Sequence, residues 1–328
     1  MDYYFAPMEG FTNYIYRRTH HRFFPGIDRY FTPFIATSQH LKLAARDRRE
    51  IDPENNAGCC LVPQFLTKDA GQLIRAAEEM KLCGFHEMNL NLGCPSATVV
   101  PKGKGAGMLK DPDALDRFLD EFFRSPAAAE IRVSVKTRLG LADPEECHAL
   151  LEIYNRYPFS ELIIHPRTQK DFYGGSVRRD YFSEMYQSAK SPVVYNGDLL
   201  SAEECFRTAE AFPRLHALMI GRGLLINPAL VREAKGGAEL RKTEYRDFME
   251  ALYADYESEY HSAANSLAHL KDLWKFIRLA FEENKNGIRR ILKSKTGSEY
   301  RLAADSFFTE TELKSGSEVP QKAQPSPE

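Results

Sequence analysis

The chain lacks the features that would mark a membrane-spanning, exported or metal-clustered protein. No apolar run approaches the roughly 18 residues that a bilayer span needs. The opening MDYYFAPMEG carries neither a basic stretch nor a long apolar core, so export is not expected. Six cysteines are scattered without a CxxC pair and without histidines at zinc-finger spacing, so neither a disulfide framework nor a metal site is assigned. Tryptophan occurs once, at Trp274. An excess of one charge is lacking too: 44 Lys and Arg against 46 Asp and Glu leave a net −2, which excludes a histone-like polycation but not a local basic face. A soluble, cytoplasmic protein with no membrane partner is expected, as a monomer.

What the chain does have is length and alternation. Its 328 residues, 43% hydrophobic, suffice for a large barrel or a barrel plus a smaller unit. Short apolar, β-prone runs recur at 3–6, 29–34, 60–65, 85–90, 131–136, 161–165, 192–196 and 216–220, with helical patterns between them. About eight such strands close a parallel barrel, although a doubly wound open sheet uses the same alternation. The position of the unusual residues separates the two. Pro7, Gln64, Asn91, Cys94, Lys136, His165, Asn196 and Gly221 all stand at or just after the C-terminal end of a run, and a barrel gathers those ends at one mouth. The predicted class is α/β: a (β/α)8 TIM barrel over 1–235, then a smaller all-helical domain over 240–310. A disordered tail is expected over 314–328, where Ser, Pro, Glu, Gln and Lys leave little to bury.

Several strand ends carry chemistry. Asn91-Leu92-Gly93-Cys94-Pro95 opens a loop of small residues that can lie against a flat ligand, which makes Cys94 a candidate reactive thiol; a buried core thiol is the plainer alternative. Lys136 and Arg138 end another strand, where a lysine can hold negative charge on a cofactor and an arginine can clamp a carbonyl or phosphate. A lysine reaching solvent would look the same. His165 lies beside Arg167, and a lone histidine there is often structural. Asn196-Gly197-Asp198 and Gly221-Arg222-Gly223 follow the seventh and eighth runs, where barrels commonly build a phosphate site.

Together with Ala6-Pro7-Met8-Glu9-Gly10, Gln64, Gly105-Ala106-Gly107-Met108-Leu109, Lys136-Thr137-Arg138 and His165-Pro166-Arg167-Thr168, these motifs resemble the tRNA-dihydrouridine synthases over nearly the whole chain. His269-Leu270-Lys271 and Trp274 resemble that family's RNA-binding helical domain. Pro166 departs from the glycine that many relatives carry, which bears on the path of its loop. The resemblance implies tightly bound FMN near Pro7, Met8, Glu9 and Gln64, with Lys136 at its N1/O2 edge and His165 nearby. Its phosphate is expected on Asn196, Gly197, Asp198, Gly221 and Arg222. The implied reaction is NADPH-driven reduction of the C5–C6 double bond of a D-loop uridine, with hydride from flavin N5 to C6 and a proton from Cys94 to C5. A thiol suits that step because it stays largely protonated at neutral pH.

Asn91, Arg138 and Arg167 are then expected to hold the uracil or its phosphate. A uridine in folded tRNA must be extruded to reach such a pocket, so a grip on the D-loop and elbow is needed outside it. Residues 271–301 carry nine Lys and Arg against four Asp and Glu, and Lys271, Arg289 and Arg290 are candidate RNA contacts. Trp274 reads as a core anchor rather than a stacking platform. A second basic stretch at 14–29 is either a further RNA contact or the polar side of the first barrel helix. The loop at 96–104, with Lys102 and Lys104, is a candidate lid over the extruded base. Two rivals are weaker. A flavin barrel acting on a free pyrimidine or enone has no use for the basic helices, and an RNA-binding scaffold without catalysis has no use for Cys94, Lys136 and His165 together.

Overall fold

The computed structural model of the protein describes residues 1–37 and 43–315. Of the expected tail, 316–328 lie outside the described residues; Lys314 donates its N–H to the Ala280 carbonyl at 2.9 Å.

The strands are β1 (Asp2–Phe5), β2 (Arg29–Phe31), β3 (Ile35–Ala36), β4 (Leu61–Val62), β5 (Gln64–Leu66), β6 (Glu87–Asn91), β7 (Arg132–Gly140), β8 (Leu162–Thr168), β9 (Val193–Tyr195) and β10 (Ala217–Ile220). They form one parallel sheet in the order β3-β5-β6-β7-β8-β9-β10-β1-β2-β4. Ten strands appear where about eight were expected because two runs contain proline, which has no N–H to give to a ladder. Pro33 separates β2 from β3, and Pro63 separates β4 from β5. The breaks are bridged: Gln64 N–H donates to the Thr32 hydroxyl at 2.9 Å, and Asn89 N–H to the Pro63 carbonyl at 2.8 Å. Since β4 runs into β5 through that one proline, the two ends of the strand order meet and the sheet closes as a (β/α)8 barrel.

Side chains alternate inward and outward along each strand. Tyr4, Ala6, Phe31, Val62, Ile163, Val194, Ala217 and Met219 fill the barrel interior as a separate apolar cluster. Phe5, Tyr30, Phe65, Leu90, Val135, Leu162, Ile164 and Leu218 point outward into the larger core under the helices. The same period of two aims the functional residues. His165 follows inward Ile163, Asn196 follows Val194, Gln64 follows Val62 and Gly221 follows Met219, each two positions nearer the mouth.

After the barrel come the helices Lys242–Tyr260, Ala263–Ile277, Lys285–Lys293 and Gly297–Glu310. Trp274 is their anchor: it is buried, packs edge-on against Phe307 at 4.9 Å, and donates its indole N–H to the Tyr300 hydroxyl at 3.1 Å. The first of these helices packs on the barrel helix Tyr14–Phe23, and this contact gives the cations of the early basic stretch partners within the fold. Arg18 pairs with Glu259 at 3.1 Å, Arg22 with Asp255 at 2.9 Å, and buried Arg17 with Glu50 at 2.9 Å. His20 is buried between the Pro228 carbonyl and Tyr30. These arginines join the first barrel helix to the C-terminal helices and to the helix Ala45–Ile51.

Candidate active site

The strand ends open into a cavity of about 770 Å³. Pro7, Met8, Glu9, Gln64, Asn91, Cys94, Lys136, Arg138, His165, Asn196, Gly197, Asp198, Gly221 and Arg222 all face it. Of the residues expected there, only Arg167 does not.

An amide chain holds the floor. Asn89 donates to Ser134 at 2.9 Å, Gln64 Nε2 donates to Asn89 Oδ1 at 2.8 Å, and Asn91 Nδ2 donates to Gln64 Oε1 at 2.8 Å. Asn91 Oδ1 accepts the backbone N–H groups of Gly93 and Cys94 at 3.1 and 2.9 Å, which orients its amide and anchors the cysteine loop. Gly105, at φ 56, lets the chain double back so that Ala106 N–H reaches the Cys94 carbonyl at 3.1 Å. The expected lid is a folded part of this loop. Val99 is buried in it, and Gly107 sits so near Val100 that a Cβ there would lie 2.5 Å from the Val100 carbonyl.

The charges are arranged unequally. Lys136 is deep in the cavity with no ion-pair or side-chain hydrogen-bond partner among the described residues, and desolvation, reinforced by Arg138, brings its pKa down to about 7. Burial pushes the Cys94 thiol up, outweighing the Ser96 backbone, Arg138 and Lys136, so it keeps its proton at neutral pH. His165 is held well below its ordinary value by burial and by the surrounding cations, so it is neutral. Its Nε2 lies 3.1 Å from Arg167 Nη1, which can only donate; Nε2 therefore accepts and the ring proton is on Nδ1.

Arg167 departs from the expected substrate contact for a countable reason. Its five N–H groups go to Gly174 O, Gly175 O, both oxygens of Asp198 and His165. Nothing is left for a ligand. Asp198 also pairs with Arg222 at 2.5 Å, so two arginines share one carboxylate in this corner. Arg138 is different: Nε and Nη1 donate to Gly93 O, Thr168 O and Phe172 O, which leaves Nη2 toward Tyr173 and the cavity. Among the expected RNA contacts, Lys271 is half-buried and donates to the Ser294 carbonyl, capping a helix end rather than facing solvent. Arg290 is exposed but paired with Glu310 at 2.6 Å; Arg289 is exposed without a carboxylate partner among the described residues.

Sequence reasoning missed Tyr173, which faces the cavity under Arg138 and Arg222. The aromatic pair followed by Gly174 and Gly175, just beyond a strand end, was a usable signal. It also missed that the C-terminal helices reach the mouth, where Lys275, Phe276, Arg278, Ile288 and Leu292 form the outer wall. No cluster of three or more His, Cys, Asp or Glu is placed to hold a metal, and no helix is long and apolar enough to cross a membrane, among the described residues.

A closed parallel barrel with a protonated thiol, a neutral histidine and an unpaired lysine at the C-terminal mouth defines a (β/α)8-barrel enzyme. Among solved structures the fold is similar to morphinone reductase, with a TM-score of 0.52 at 12% identity over 74% of this chain and 87% of that one. The sequence model of the dihydrouridine synthase family matches residues 4–324, and the chain belongs to that family of oxidoreductases. It is 28% identical to the tRNA-dihydrouridine(16) synthase of Haemophilus influenzae over 73% of this chain and 75% of the relative. It is 30% identical to that of Aquipseudomonas alcaligenes over 70% and 73%, and 27% identical to tRNA-dihydrouridine synthase B of Pasteurella multocida over 69% and 67%.

Proposed function

We propose that this protein reduces the C5–C6 double bond of a D-loop uridine in tRNA, using FMN with NADPH as reductant. The observation that carries the reading is Lys136: an amine deep in the cavity, whose charged form has no acceptor of its own among the described residues, is suited to one supplied by a ligand. The donor set fits FMN in two further ways. The backbone N–H groups of Gly197 and Asp198 have no acceptor among the described residues, beside a corner with Arg222, which suits a phosphate. Gln64, Pro7 and Met8 supply a flat polar-and-apolar wall for a ring, and Glu9 stands at its rim.

Bound FMN, recharged by NADPH, supplies the hydride for C6 of the uracil. Everything else falls to the chain. Lys136 would supply positive charge to a bound cofactor, and His165, neutral, would add an N–H without competing for protons. The loop fixed by Asn91 presents the Cys94 thiol, which gives its proton to C5 and is left as a thiolate beside Arg138 and Lys136 until solvent reprotonates it. Arg138 Nη2 is available for a uracil carbonyl, and Asn91 for positioning the ring. Arg289 is the open cation on the helices for the RNA backbone. Two relatives named for position 16 make that uridine the first to examine.

The test is single-turnover reduction of a tRNA transcript by the FMN-loaded protein, with dihydrouridine mapped by mass spectrometry. Wild type is expected to convert one D-loop uridine, and Cys94→Ala to bind FMN and accept electrons from NADPH yet form no product. Full product from the variant would remove the thiol from the mechanism.

A further inference from the structure

The cavity extends past the strand ends onto the C-terminal helices, and the extension has its own chemistry. Ile288 and Leu292 stand four residues apart on the helix Lys285–Lys293, hence on one face, and both line the cavity. The buried side of that helix is carried by Gly287 and Ile291, while Leu292 is 45% exposed. A single exposed leucine is ordinary. Here it shares the cavity lining with Ile288, Phe11 and Phe276, the last two meeting edge-on at 5.1 Å, so apolar side chains line the cavity from the exposed helix inward.

Cations border this strip. Arg278 shares its wall, and Arg289 and Lys293 flank it on the same helix. None of these three has a carboxylate partner among the described residues, whereas Lys285 and Arg290 on the same helix are paired with Glu283 and Glu310. Unpaired cations beside an apolar face suit single-stranded nucleic acid, whose phosphates can lie along the cations and whose bases can bury their faces against apolar side chains.

We propose that the Ile288–Leu292 strip receives the nucleobase adjacent to the target uridine in the same strand. The inference rests on the tRNA reading above. Extruding the uridine strips its neighbour of a stacking partner; leucine and isoleucine are side chains that fill such an opened step. The strip thereby recovers part of the unstacking cost and holds the strand while the target base lies beneath it.

The experiment is a double-substitution cycle on the FMN-loaded protein. Leu292→Ala is combined with tRNA transcripts made abasic at the nucleotide on the 5′ or the 3′ side of the target. Leu292→Ala is expected to weaken binding of intact tRNA about tenfold, the abasic transcript to do the same to wild type, and the two together to be no worse than either alone. Leu292→Met, which keeps the apolar contact, should bind like wild type, and because Leu292 is half-exposed the melting temperature should not move. Full additivity at both neighbours overturns the proposal. So does a defect confined to KM for NADPH, which would assign the strip to the reductant. A wild-type protein that neither binds nor reduces tRNA would instead overturn the functional reading, and this inference with it.

Discussion

Lys136 should make cofactor binding depend steeply on pH. In the free protein, burial first and Arg138 second bring its pKa from 10.5 to about 7. If FMN binds as proposed, an acceptor on it near the ammonium would favour the protonated form and return Lys136 toward its ordinary value. Above about pH 7 the free protein has lost a proton that the complex would still hold, so affinity falls as pH rises; below about pH 6 both hold it and Lys136 adds no further dependence. Between about pH 6 and pH 9 the loss comes to about 100-fold, approaching one factor of ten per unit above the free-protein value. Titration of FMN into the apoprotein, followed by quenching of flavin fluorescence, measures it. Lys136→Met should bind weakly throughout and lose the slope between about pH 7 and pH 9. A flat wild-type profile, or an equal slope in the variant, refutes the reasoning. By the same linkage the apoprotein should gain stability as pH rises from about 7 toward the unfolded-state lysine value, because there the unfolded chain binds the extra proton.

Other substitutions test the framework around the site. Arg167→Ala removes five donor contacts at once and should cost about 3–5 kcal/mol in urea unfolding. Arg167→Lys should not rescue it, since one ammonium cannot replace the fork; unchanged stability with lost tRNA binding would return Arg167 to substrate contact. Gly223→Ala would place a Cβ 2.1 Å from the Leu199 carbonyl, so the loop after β10 must shift, and a protein of wild-type melting temperature would contradict the packing. Trp274→Phe loses the bond to Tyr300 and should cost about 1–2 kcal/mol by denaturant unfolding. It should leave the salt dependence of tRNA binding unchanged, because the indole is buried.

The barrel was legible because its evidence is local. Apolar runs, their spacing and the residue two positions beyond each inward side chain all lie within a few neighbours, and the structure places nearly every strand-end candidate on one cavity. The two extra strands were legible too, in Pro33 and Pro63, though the runs around them read as continuous. Tyr173 and the outer wall were harder, because they depend on where a loop and four distant helices come to rest.

The use of each cation was not legible, and Arg138 and Arg167 show why. Both stand near a strand end, two residues past a candidate site residue, and nothing adjacent in sequence separates them. What separates them is supplied from elsewhere: Asp198 and the carbonyls of Gly174 and Gly175 come to Arg167 from two other loops and take four of its five N–H groups, and His165 takes the fifth. Arg138 meets three backbone carbonyls at Nε and Nη1 and the Tyr173 side chain, and has no carboxylate partner among the described residues. The same holds at Arg18 and Arg22, whose partners Glu259 and Asp255 lie more than 200 residues away. A count of basic residues along a chain therefore overstates the surface offered to RNA. The number that bears on binding is the cations left after the folded protein's own carboxylates and carbonyls have taken their share, and on the helix Lys285–Lys293 those are Arg289 and Lys293, each one residue past a side chain that lines the cavity.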